Sequence, residues 1–85
     1  MDYMATLAAL TAAAGTSGNE DNVAGVVEGL FRQYTGDVWR DPLGNVYARV
    51  GSGRPVVLVC AHMDEIGMRV AAIEENGMLR MARVG

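Results

Sequence analysis

Val56-Val57-Leu58-Val59-Cys60-Ala61-His62-Met63-Asp64-Glu65-Ile66-Gly67 opens as an unbroken apolar run and ends in the chain's only histidine, with an aspartate two residues later. The run is too short for a helix, rich in β-branched residues and preceded by Pro55, which predicts a buried strand. Apolar side chains on both of its faces predict a central strand in a sheet covered on both sides. His62 and Asp64 then stand where that strand leaves the core, and ligands of open α/β sheets gather outside the carboxyl ends of strands. Period-two geometry, if the pleat continues that far, aims both side chains the same way. A histidine beside a carboxylate in that position reads as a metal ligand and the group that orients it. The plainer readings are a satisfied polar histidine at a strand end and an aspartate that caps the strand's last N–H groups.

Working outward, residues 51–55 (Gly-Ser-Gly-Arg-Pro) form a loop before the run. Ahead of it lie two predicted strands, residues 37–40 and 46–50, separated by the turn-forming Asp41-Pro42-Leu43-Gly44-Asn45. Beyond it, residues 66–73 and 78–84 flank Glu74-Glu75-Asn76-Gly77, whose Asn-Gly pair predicts a hairpin. Toward the N-terminus the period changes. Residues 3–14 are alanine-rich with Met4, Leu7, Leu10 and Ala14 at helical spacing, and Gly15 follows. Ser17-Gly18-Asn19-Glu20 has the form of a capping box, in which Ser17 and Glu20 each satisfy a free backbone N–H. A second helix follows, with Val23, Val26, Val27, Leu30, Phe31 and Tyr34 along one face and Gly36 at its stop.

The order is two N-terminal helices and then about five strands, an α/β chain. A parallel sheet needs a helix between successive strands, and none is predicted after residue 36. The two helices are too few to cover both faces of the predicted strand, so residues 1–85 read as part of a larger, mixed-sheet domain.

Eighty-five residues allow one small domain. Apolar residues at 51% and charged residues at 20% indicate a globular chain rather than a disordered one. The net charge is −3 and the seven basic residues are scattered arginines, which argues against a nucleic-acid partner. Trp39 and Tyr47 lack a basic groove beside them and read as packing residues, not a stacking platform. Cys60 is the only cysteine, which excludes an intrachain disulfide and fits a reducing cytoplasm; its place in the apolar run predicts burial. The acidic start, Met1-Asp2-Tyr3-Met4, is unlike a signal peptide, and no apolar stretch is long enough to span a bilayer. The expectation is a cytoplasmic protein with no membrane partner.

Three pieces occur together in order: Gly15-Thr16-Ser17-Gly18-Asn19-Glu20, Asp41-Pro42-Leu43-Gly44-Asn45 and Ala61-His62-Met63-Asp64-Glu65-Ile66-Gly67. Together they resemble the start of the glutamyl and deblocking metalloaminopeptidases that assemble into hollow tetrahedral particles, some of them labelled endoglucanases. The resemblance runs the whole 85 residues, and the His-Met-Asp-Glu-Ile-Gly segment is its most specific part. It implies a zinc-aminopeptidase catalytic domain that removes N-terminal residues from peptides with two divalent metal ions, zinc or cobalt, and that forms homo-oligomers. Lewis-acid polarisation of the scissile carbonyl and a metal-generated hydroxide are the chemistry such a pair supplies. Carried over by position, His62 matches the first metal ligand and Asp64 the aspartate that steers it; Glu65 takes no ligand role.

The family's remaining ligands and its glutamate base lie downstream of this segment. A catalytic zinc site needs at least three protein ligands and an open position. The resemblance therefore implies an incomplete site: the 85-residue chain alone is expected to be inactive and to bind no metal tightly. The alternative is a non-catalytic assembly or interaction module of that family, using unpaired strand edges to recruit another chain. A glycosidase needs two facing carboxylates, whereas Glu74-Glu75 reads as a solvated hairpin tip.

Overall fold

The computed structural model describes all 85 residues, Met1–Gly85. Two helices, α1 (Tyr3–Ala12) and α2 (Asp21–Phe31), precede four strands: β1 (Val38–Arg40), β2 (Val46–Ala48), β3 (Gly67–Ile73) and β4 (Leu79–Val84). The strands form two separate antiparallel hairpins, β1–β2 and β3–β4. The architecture is mixed α/β, with four strands where the sequence predicts about five.

The missing strand is the one expected at the centre. Residues 56–64 adopt no regular structure, and Val56, Val57, Leu58 and Val59 are 71–89% exposed. A β-strand is held by hydrogen bonds to a neighbour, and none of this segment's backbone groups pairs across a sheet. The composition predicted above is satisfied only when partner strands and covering layers are present; within these 85 residues neither is. Cys60, expected to be buried with the run, is exposed.

Locally encoded features form as the residues dictate. Asp2 caps α1 by accepting a hydrogen bond from the Ala5 N–H at 3.0 Å. Asp41 organises the turn between β1 and β2: one carboxylate oxygen accepts from the N–H groups of Leu43 (3.0 Å) and Asn45 (2.9 Å). The other accepts from the Asn45 side-chain amide (2.8 Å) and the Tyr47 hydroxyl (3.0 Å). Gly44 takes φ +89° there, a conformation open to glycine. The pairing Trp39↔Tyr47 stacks their rings 5.2 Å apart and nearly parallel. In the second hairpin Asn76 accepts from the Met78 N–H, and a bulge between Val70 and Ala72 shifts the register.

The core is small. Only Val23 and Ala24 are buried apolar residues. Of the face predicted for α2, Val26, Val27 and Leu30 are half-buried, while Phe31 and Tyr34 are exposed. Arg40 on β1 pairs with Glu28 on α2 and ties the first hairpin to that helix. The β3–β4 hairpin extends away from this nucleus. The molecule measures 62 × 28 × 16 Å with a radius of gyration of 17.0 Å, against about 12 Å for a compact chain of this length.

Candidate functional site

The loop between the helices carries the only link from the N-terminal half to the histidine segment's end. Thr16 and Glu65 form a parallel bridge: the Glu65 N–H donates to the Gly15 carbonyl at 2.8 Å, and the Ser17 N–H to the Glu65 carbonyl at 3.3 Å. Two glycines permit the approach. A Cβ on Gly15 would lie 2.8 Å from Val23 Cγ1, and one on Gly67 would overlap Thr16 Cγ2.

This bridge sets Ser17 against Asp64, 47 residues away in sequence. The Ser17 hydroxyl donates to Asp64 Oδ2 at 2.6 Å, a short bond of the kind made to an ionised carboxylate. The expected capping box does not form as such. The helix begins four residues later, at Asp21, and its N-cap Glu20 makes no side-chain cap bond. The Glu20 carboxylate accepts instead from the Gly18 N–H at 2.5 Å, and the free Val23 N–H donates to the Ala14 carbonyl. The Ser17 hydroxyl donates its proton to Asp64, and with the helix starting at Asp21 no α2 N–H donates to the Ser17 oxygen.

His62 and Asp64 meet, although not through the pleat. His62 Nδ1 lies 3.0 Å from Asp64 Oδ1 and 3.1 Å from the Asp64 carbonyl oxygen. Both neighbours are acceptors, so Nδ1 carries the proton and Nε2 keeps its lone pair. The imidazole is 86% exposed, which leaves Nε2 open to a ligand. The hydrogen bond from Ser17, and after it that from His62, holds the Asp64 carboxyl below the ordinary aspartate value of 3.8. Asp64's two oxygens are thus engaged by Ser17 and His62. Glu65 contributes its backbone to the bridge.

A histidine whose Nδ1–H is fixed by a carboxylate and whose Nε2 faces outward has the form of one metal donor with its orienting partner. No group of three or more His, Cys, Asp or Glu side chains converges anywhere in the chain. These residues therefore do not fit a complete divalent-metal site. Ser17 is the participant that residue-by-residue reading misassigned; only its recurrence in the same composite motif as His62 and Asp64 hinted at a shared place. Elsewhere, Glu74 at the second hairpin's tip pairs with Arg80 at 2.9 Å rather than with another carboxylate.

A model of the M42 glutamyl aminopeptidase family matches residues 44–85, which include His62 and Asp64. The putative aminopeptidase SgcX of Escherichia coli strain K12 is 51% identical over 72 residues, covering 81% of this chain and 19% of that protein. The lysyl aminopeptidase of Pyrococcus furiosus is 38% identical over 72 residues, covering 84% of this chain and 21% of its own. The glutamyl aminopeptidase of Lactococcus lactis is 30% identical over the whole of this chain and 25% of its own. The chain spans about a fifth to a quarter of the length of these curated relatives.

Proposed function

This chain belongs to the M42 glutamyl aminopeptidase family, and from that premise we propose that it supplies the His62–Asp64 portion of a di-metal aminopeptidase acting on the N-terminal residues of peptides. The observation that carries the reading is the His62 Nδ1–Asp64 Oδ1 contact at 3.0 Å with Nε2 turned outward. Asp64 orients the ring and His62 offers one nitrogen to zinc or cobalt. The other donors come from outside these residues, so the 85-residue chain alone is inactive and holds metal weakly. Homo-oligomerisation and a cytoplasmic location belong to the same proposal. No helix is long and apolar enough to cross a membrane, and the thiol of Cys60 is free, as a reducing compartment allows.

A segment exchange tests this. The matching first part of the Pyrococcus furiosus lysyl aminopeptidase is replaced by this chain, and release of N-terminal residues from peptides is measured with zinc or cobalt. Activity that survives the exchange and vanishes with His62→Ala supports the reading. A folded chimera that stays active with His62→Ala refutes it. A second reading, an interaction module, is favoured by the exposed run at residues 56–59. Under that reading the purified chain self-associates with no dependence on His62.

A further inference from the structure

We propose that Ser17 is a positioning residue, its hydroxyl holding the Asp64 carboxylate so that His62 keeps its proton on Nδ1 and presents Nε2 outward. The bond from Ser17 to Asp64 Oδ2 measures 2.6 Å. It leaves Oδ1 facing the imidazole at 3.0 Å.

Asp64 needs such a partner because its own segment supplies no rigidity. Residues 56–64 lack a sheet to fix them, and His62 and Asp64 are joined only by two peptide units of irregular backbone. A carboxylate on that backbone is free to rotate about χ2 unless its second oxygen is held. Ser17 stands on firmer ground. Gly15 beside it is buried, Thr16 bridges to Glu65, and Asn19 donates its N–H to the Thr16 carbonyl at 2.8 Å. Its hydroxyl makes no bond to the N–H groups of α2, so helix capping does not account for it. The chain thus carries a relay Ser17–Asp64–His62 that transmits the position of one loop to the tautomer of a histidine on another. Fixing the ring and its tautomer is what a carboxylate partner does for a metal-binding histidine. The use of Nε2 as a metal donor rests on the proposed function; the tautomer does not.

The test labels the histidine with ¹⁵N in the full 85-residue chain. The tautomer is read from the ring nitrogens at roughly pH 8.5, well above the ordinary histidine pKa of about 6.5. The wild-type chain is expected to show the Nδ1–H form in excess. Ser17→Ala should lower the Nδ1–H to Nε2–H ratio by about fivefold, the order of magnitude of one lost ordinary hydrogen bond. Ser17→Thr, which keeps the hydroxyl, should restore it. An unchanged tautomer ratio in a Ser17→Ala chain with wild-type circular dichroism overturns the proposal. Should Ser17→Ala lose its structure, the wild-type Ser17 hydroxyl proton decides: slow exchange with water upholds the bond, exchange at the free rate overturns it.

Discussion

Asp41 shows how much a single side chain organises when its partners lie within six residues. It accepts from Asn45, Leu43 and Tyr47, and these bonds, the Asn45 amide first, hold its carboxyl below 3.8. The same contact pushes the Tyr47 hydroxyl above 10.0, chiefly through the hydrogen bond to Asp41. A lowered carboxylate pKa contributes stability that is complete above the unfolded value and fades as pH falls through the folded one. A raised tyrosine pKa contributes stability that is complete below the unfolded value and fades as pH rises through the folded one. The stacked Trp39–Tyr47 pair should therefore hold a constant near-ultraviolet dichroism between the two, losing it below 3.8 and above 10.0. Asp41→Asn should weaken the signal at neutral pH and flatten both edges; an unchanged profile would contradict this account. Gly67 makes a steric prediction. Gly67→Ala drives a methyl into Thr16 Cγ2 and should destabilise the bridge to Glu65 by about 1–3 kcal/mol, the usual cost of overpacking. Adding Thr16→Ser, which removes that methyl, should recover most of it, measured as amide exchange at Ser17.

At the scale of elements, the two hairpins and both helices are legible in the sequence because their determinants are local. Asp-Pro-Leu-Gly-Asn and Asn-Gly fix turns from within, and α2 shows its face through the spacing of Val23, Val26, Val27 and Leu30. The strand expected at residues 56–59 is not formed, since its β-branched residues specify only a willingness to pair and the partner is a nonlocal matter. Ser17 illustrates the same limit: its capping-box spacing is real, but the helix starts at Asp21 and the hydroxyl donates to an acceptor 47 residues away. The His62–Asp64 pair was legible as a pair, though held by its own hydrogen bond rather than by a pleat. Hydrogen exchange should follow the observed elements, with protection in β3 and β4 and none across residues 56–61. Val57→Lys should alter the stability of this chain by less than about 0.5 kcal/mol, as an exposed substitution does. A larger loss in chemical denaturation would mean that the run is packed after all.

The whole molecule is held by little buried surface, with Val23 and Ala24 as its core. Denaturant unfolding should consequently be shallow, with a urea m-value below about 1 kcal/mol per molar, the lower end for small domains. Val23→Ala, which removes two methyl-sized groups from that core, should cost about 1–2 kcal/mol and loosen the packing against Gly15. A steep, cooperative transition in either chain would refute this description. The Ser17–Asp64 contact joins residues 47 apart, and closing a fully flexible loop of that length would cost about 3 kcal/mol in chain entropy, less here because α2 and the first hairpin are folded within it. The bridge returns two backbone hydrogen bonds, each contributing about 1 kcal/mol, and the Ser17–Asp64 bond to a charged group about 1.5–3 kcal/mol more, so closure wins by a small margin and the histidine's alignment is a matter of occupancy. Whatever gathers the intervening residues, by pairing the bare run or by steadying the first hairpin, shortens the free loop and raises that occupancy without touching the site. Ser17 and Asp64 thus act as a clasp on a long cord, and tension anywhere along the cord sets how often it is fastened.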